Sequence, residues 1–458
     1  MLIACSATSD IDEEWSDRAD AGDVGGPLPE AGSGPDTSAP VDSAVQRPPF
    51  DPKDEPVVCA TPPCALQLVA GERHFCARMN DGTVRCWGDN TKGSLGVDDA
   101  GVSLSDASVE DAGFPANDWT VPTVPELGGV TQLSAGGTTT CALADGGARC
   151  WGGNDKGQLG LGSAPPIADG ERHTTPSAVD LPSAALRIDV GPTGACAVLA
   201  SGDVWCWGAN TTNQLARTTA TGIGEPAAAD LGGLAVARTA LGTFTGFAVT
   251  DGGDIVSWGA IAGAEGSVSA RESSVSKDPA PLAIGLGSVT SFSVSSTTIY
   301  RPSGYPPPPP QGIGHACAVA GGEVFCWGAT IMGALGSGFA TPSQKPRRAV
   351  FRNEKAWPQQ VVAAGDISCA RSTDGAVHCA GDNKLGALGK GPETLYSTIF
   401  EPVDRLEGHV VALAAAAQTV CALLEDGRVS CWGSNGRSEL GQGVTDAAPH
   451  PSPVFVRF

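Results

Sequence analysis

Apolar residues fall in short runs broken by Gly, Pro, Asn and Asp, and both runs and breaks recur along the chain. One stretch reads Cys141-Ala142-Leu143-Ala144-Asp145-Gly146-Gly147-Ala148-Arg149-Cys150-Trp151-Gly152, two strand-like runs around a turn. Versions of it run from Cys76 to Cys86 (then Trp87-Gly88), Cys196 to Cys206 (Trp207-Gly208), Cys317 to Cys326 (Trp327-Gly328), Cys369 to Cys379 (Ala380-Gly381) and Cys421 to Cys431 (Trp432-Gly433). A further copy, Phe247 to Ser257 and then Trp258-Gly259, has no cysteine. Upstream of the copies lies a β-like run often ending in Ala-Gly, as at Leu66 to Gly71, Val130 to Gly136, Leu186 to Gly191 and Val361 to Gly365. Downstream lies an Asn-x-x-Gly-x-Leu-Gly loop, fullest at Asn154 to Gly160, with variants at Asn90 to Gly96 and Asn435 to Gly441. A proline then opens another run, which reads as the first strand of the next unit, at Pro122, Pro176, Pro226, Pro281, Pro346, Pro402 and Pro453. Four short strands repeated seven times predict an all-β, seven-bladed propeller of four-stranded blades. The run near Leu66 has no predecessor and Pro453 to Phe458 no successor. Pairing these N- and C-terminal strands is expected to close the ring and remove two free edges.

The pattern Ala-Gly, His-x-x-Ala-Leu, Gly-x-Val-x-x-Trp-Gly, Asn-x-x-Gly-Gln-Leu-Gly resembles the regulator of chromosome condensation (RCC1) repeat family, most closely at positions 71–96 and 136–160. The resemblance covers about residues 65–458, with the fourth copy degenerate, and implies the propeller fold. It says little of function, because propellers host many unrelated roles. Composition agrees with short strands and turns. The 62 glycines and 35 prolines make up about a fifth of the chain and argue against a helical protein.

The cysteines sharpen the picture. Six pairs flank turns such as Asp145-Gly146, Gly321-Gly322, Asp374-Gly375 and Asp426-Gly427, so each pair faces across a hairpin. Directly opposed residues stand about 4.5–5.5 Å apart, within disulfide reach. The expected bridges are Cys76–Cys86, Cys141–Cys150, Cys196–Cys206, Cys317–Cys326, Cys369–Cys379 and Cys421–Cys431, with Cys59–Cys64 as a seventh. Buried free thiols are the competing arrangement. The eight or nine residues between partners do not suit zinc, which takes about two to four. The RCC1 pattern has no cysteines at these positions, so the chain reads as an export-adapted variant.

That leaves Cys5 of the 15 cysteines. Leu2-Ile3-Ala4-Cys5 resembles a bacterial lipobox, in which the cysteine is lipidated, although only four residues precede it. The expectation is that residues 1–5 are the remnant of a signal peptide whose start lies upstream. Residues 6–56 hold 13 acidic and 3 basic side chains among Ser, Pro, Gly and Ala, and read as a disordered acidic tether. The propeller then occupies 57–458. This organisation places the protein outside the cytoplasm, lipid-anchored at the bacterial cell envelope, at the outer membrane or cell surface. No apolar run reaches the roughly 18 residues of a membrane span, so the lipid is the only membrane contact expected.

The net charge of −22 opposes nucleic-acid binding. No nucleophile elbow, His-Glu-x-x-His or phosphate loop appears, so a non-enzymatic protein without cofactors is expected. His74 and His315 occupy equivalent repeat positions and read as structural. The Trp-Gly tryptophans read as core, whereas Trp119, Trp205 and Trp357 stand outside that position. Two units carry insertions. Asp98, Asp99, Asp106, Glu110, Asp111 and Asp118 form an acidic one, a candidate Ca²⁺ site without EF-hand spacing, for which a solvated loop is the competing reading. Ile299 to Gly314 holds Tyr300, Tyr305 and Pro306 to Pro310, a polyproline rod or contact loop. By alternation of strand direction both insertions emerge opposite the Asp-Gly turns, with the Asn-x-x-Gly loops. That face is the expected interaction surface, with Tyr300, Tyr305, Pro308, Asp111 and Trp119 as candidate contacts. The expected role is a monomeric scaffold recognising a protein or glycan. Guanine-nucleotide exchange on a small GTPase, as the resemblance implies, and a secreted enzyme-inhibitor propeller are the alternatives.

Overall fold

The computed structural model describes residues 55–98, 120–125, 127–162, 167–261, 268–271, 273–300, 311–353 and 355–458. They form seven antiparallel sheets in a ring. Blade 1 holds β1 (Ala65–Ala70), β2 (His74–Met79) and β3 (Val84–Gly88), with residues 121–124 bonded along β3 as a rudimentary fourth strand. Blade 2 holds β4 (Val130–Gly136), β5 (Thr139–Ala144), β6 (Gly147–Gly152) and β7 (His173–Ala178). Blade 3 holds β8 (Ala185–Val190), β9 (Gly194–Leu199), β10 (Val204–Ala209) and β11 (Ile223–Ala228). Blade 4 holds β12 (Val236–Leu241), β13 (Thr245–Thr250), β14 (Ile255–Ala260) and β15 (Lys277–Ala283). Blade 5 holds β16 (Val289–Val294), β17 (Thr298–Tyr300), β18 (Gln311–Ala320), β19 (Glu323–Ala329) and β20 (Ser343–Arg348), where β17 pairs only with the start of β18. Blade 6 holds β21 (Pro358–Ala364), β22 (Ile367–Ser372), β23 (Val377–Asp382) and β24 (Tyr396–Pro402). Blade 7 holds β25 (Val410–Ala416), β26 (Thr419–Leu424), β27 (Val429–Asn435) and β28 (Asp446–Phe455).

Burial follows radial position. The second strands β5, β9, β22 and β26 are buried at every residue, because neighbouring blades cover both faces. The fourth strands β7, β11 and β15 are half-exposed outer edges, and each carries a proline of the repeat. Proline removes a donor from an edge that would otherwise template pairing with another chain.

Six cystines sit where the sequence places them, each joining directly opposed residues of the second and third strands with Cα atoms 4.1 Å apart. Cys59–Cys64 is the seventh. In blade 4 Phe247 faces Ser257 at the same register.

Two details differ from the sequence-based expectation. The proline run pairs with the strand before it, so the hydrogen-bonded blade begins at the Ala-Gly run. Consequently β28 belongs to β27, through Cys431↔Val454, and is not shared with β1. The termini still close the ring, by packing. Phe75, Trp87 and Leu68 share one core with Val411, Leu423, Leu440 and Val456, and Phe458 sets its ring edge against Trp87 at 5.7 Å. Backbone bonds from Val121 N–H to the Arg457 carbonyl and from Ala417 N–H to the Glu72 carbonyl complete the seam.

Candidate interaction surfaces

The repeat motif explains its own chemistry. In the Asn-x-x-Gly-x-Leu-Gly loops the Asn Oδ1 accepts the Leu N–H, at Asn90, Asn154, Asn210, Asn383 and Asn435, over 2.9–3.3 Å. The loop of one blade then receives the tryptophan of the next. Trp151, Trp207, Trp258, Trp327 and Trp432 donate to the carbonyls of Ser94, Gln158, Gln214, Val268 and Ala387. Trp87 donates to Glu439 and brings blade 1 onto blade 7. Gly160, at φ +65°, shows why the loop ends in glycine: a Cβ there would lie 2.9 Å from Trp207 Nε1. All six tryptophans are buried, as read from sequence. In blade 6, Ala380 stands where tryptophan is missing, and Phe400 fills the space from the outer strand, stacked on Phe351 at 4.6 Å.

His74 and His315 are also seam residues. Their Nε2 atoms lie 2.7 Å from Thr140 Oγ1 and 2.8 Å from Ser368 Oγ, hydroxyls of the next blade. Desolvation by full burial lowers both pKa values to about 4, so both rings are neutral at pH 7.

An inner belt was not legible from the motif. In five of the inner strands, at or just past the bulge, a side chain reaches the backbone of the next blade. The Gln132 amide donates to the Ile188 carbonyl and accepts its N–H, both at 2.9 Å. Gln67 does the same to Leu133, and Gln360 to Leu413. Asp189 accepts Thr239 N–H, and Ser291 accepts Val361 N–H. Beside the belt lies a cavity of about 280 Å³, lined in part by Ser134, Arg187, Asp189 and Ser293. Arg187 pairs with Asp189 at 2.9 Å. Aligning the inner runs would have revealed the polar position, but not its target.

The connections that carry the two insertions belong to one face of the ring. The acidic one departs after β3, in the connection type that holds the Asn-x-x-Gly loops; the proline one lies between β17 and β18, in the first connection of its blade. The described residues that flank them, Asp98 for the acidic one and Tyr300 and Gln311 for the proline one, stand at the ends of the strands remote from the Asp-Gly turns. Asp98 accepts a hydrogen bond from Thr174 Oγ1 at 2.9 Å, which ties the start of the acidic insertion to β7. Tyr300 ends β17, paired with Gln311. Cys5, the tether up to residue 54, Asp99, Asp106, Glu110, Asp111, Asp118, Trp119, Tyr305 and Pro308 lie outside the described residues. Trp205 packs half-buried against the blade 2–blade 3 core, and Trp357 is half-buried. Among the described residues no group of three or more His, Cys, Asp or Glu could hold a metal ion, and no helix is long and apolar enough to cross a membrane.

The opposite face carries the incoming chain. Glu55 bridges Arg371 (3.2 Å) and His409, and Val58, Ala60 and Ala65 donate backbone bonds to Glu425, Asp426 and Gly427 at the Asp-Gly turn of blade 7.

A family model for the regulator of chromosome condensation (RCC1) repeat matches residues 66–94, 130–158 and 410–439. The chain is 25% identical over 389 residues to the E3 ubiquitin-protein ligase HERC2 of Mus musculus, covering 81% of this chain but 7% of that protein. It is 31% identical over 134 residues to the X-linked retinitis pigmentosa GTPase regulator of Mus musculus, covering 28% of this chain and 13% of that one. The chain thus spans a small part of these relatives. Among solved structures, Prp20p from Saccharomyces cerevisiae superposes with a TM-score of 0.61 at 17% identity, covering 86% of this chain and 88% of that one, which is likeness of fold.

Proposed function

We propose that the chain, a seven-bladed ring in which three repeats match the RCC1 model, is a non-enzymatic, exported scaffold that binds a protein or glycan through the loops of one face. The observation that carries this reading is the set of six cystines at one register of six blades. Such bridges persist in an oxidising compartment and not among cytosolic thiols. A ring of this kind is a scaffold on which loops are mounted, which suits recognition. In this reading Cys5 carries a lipid and residues 6–54 hold the ring away from the envelope, since Glu55 is already bonded to it.

The test expresses the gene with its upstream DNA in its native host. Intact mass is measured without reductant and after thiol labelling. A diacylglycerol-sized increment with no labelled thiol supports the lipoprotein; an unlipidated chain whose cysteines take label overturns it. Replacing 99–119 and 301–310 by short Gly-Ser connectors then tests the loop face: binding to envelope preparations is expected to fall at least tenfold. Unchanged binding would reject that face.

A second reading, regulation of a small GTPase, has one observation behind it, the similarity to a GTPase regulator. It requires reduced cysteines and accelerated nucleotide release from a GTPase, both read in the same preparation.

A further inference from the structure

The seam between blades 5 and 6 differs from the others, because Phe400 enters it from the outer strand in place of a tryptophan. Residues 349–352 are drawn in beside it: Val350 N–H donates to Gly336, Phe400 N–H to Val350 and Arg352 N–H to Phe400. Gly338 N–H donates to Thr398, and Asn383 N–H to Leu395. These bonds lace three segments into one rim. On it Ile331, Phe339, Val350, Leu395 and Tyr396 are each between 46% and 65% exposed. Large apolar side chains gathered on a rim mark a contact surface.

One segment that runs through this rim is rich in basic side chains in an acidic protein. Residues 341–355 hold Lys345, Arg347, Arg348, Arg352 and Lys355 against one acidic residue, although the whole chain has 28 basic and 50 acidic side chains. Arg348 is braced by Glu323 at 2.8 Å and Arg352 by Glu401 at 2.7 Å, which fixes two guanidinium groups at the surface. Pro346 takes a donor from the outer edge of β20, so side chains rather than a backbone ladder must carry recognition there.

We propose that this rim docks an extended, acidic segment of a partner protein with apolar side chains between its carboxylates. The proposal deepens the scaffold reading and rests on it. Carboxylates answer the basic side chains, and the five exposed apolar residues need apolar area in return, which a uronate polysaccharide does not offer.

The test uses the full chain and fluorescence anisotropy with a labelled 14-residue peptide in which Glu alternates with Leu and Phe. Binding is expected to weaken with added NaCl. It is expected to fall at least tenfold when Lys replaces Glu, or Ser replaces Leu and Phe, in the peptide. The double variants K345E/R347E and F339S/Y396S are each expected to lose at least tenfold while their melting temperatures stay near wild type. L186S, an exposed apolar change elsewhere, is expected to leave binding unchanged. No binding, or binding indifferent to both double variants, overturns the proposal. Equal binding of polygalacturonate that ignores F339S/Y396S also overturns it, in favour of a polyanion site. The insertion replacements above leave this rim intact, so failure of the scaffold reading is read separately.

Discussion

At His74 the chain places an imidazole where water cannot reach it. Its pKa of about 4 in the fold lies below the ordinary 6.5, with desolvation the largest cause. Below pH 6.5 the unfolded chain takes up a proton that the folded one refuses. The stability present above pH 6.5 is therefore lost as pH falls towards 4, by roughly 3 kcal/mol for such a shift. His315 behaves alike. Urea unfolding of wild type and H74Q/H315Q at pH 7 and pH 4.5 checks this. The double variant is expected to start less stable at pH 7, having lost two seam contacts, but to lose several kcal/mol less on acidification. An equal loss in both proteins would refute the assignment. The structural reading of these histidines was available from their equivalent repeat positions. Their partners Thr140 and Ser368 were not, because a seam joins residues more than 50 positions apart.

The hairpin cystine is the element that sequence made most legible, since Asp-Gly turns midway between cysteines dictate facing strands. Closing about ten residues contributes roughly 2–3 kcal/mol by chain entropy. C141S/C150S is expected to lose about that much in urea unfolding. Blade 4 tests the converse. Phe247 and Ser257 stand in the paired register, so F247C/S257C is expected to form a bridge detectable as an absence of free thiols. The variant is nevertheless expected to be less stable than wild type by about 1–2 kcal/mol. Truncating fully buried Phe247 costs about 3–5 kcal/mol, more than the bridge returns. A net gain would show that blade 4 tolerates the lost ring by repacking. What sequence did not give at this scale is the phase of the blade. The proline run looks like a beginning in the repeat but bonds to the strand before it, although the connection that precedes it (13 residues between Ala209 and Ile223) is longer than the one that follows (7 between Ala228 and Val236), so spacing along the chain points the wrong way.

At the scale of the ring, seven blades meet end to start without exchanging a strand. Closure is therefore carried by a packed seam and by the strap from Glu55 to Cys64. Trp87 and Phe458 make the apolar part, and these positions carry the repeat signature or the terminal run, so the seam was partly legible. The strap was not, since Glu55 lies in the segment that composition assigns to the tether. Its carboxylate meets Arg371, whose side chain is 5% exposed, and His409. Removing the negative charge takes a partner from a nearly buried guanidinium, a change that is costly where solvent is excluded. Glu55 itself is 26% exposed, so solvent screens part of the loss. E55Q is expected to lower stability by about 1–2 kcal/mol in urea unfolding, and to increase proteolysis between residues 55 and 64 before the blades are cut. K156Q, which breaks the exposed pair with Asp155 in blade 2, is the control and is expected to stay within about 0.5 kcal/mol of wild type. If E55Q matched that control in both measurements, the strap would be an ornament on a ring that closes through Trp87 alone. If it opened first, the chain would enter the ring under a lock on the Asp-Gly face, leaving the opposite, loop-bearing face clear of it.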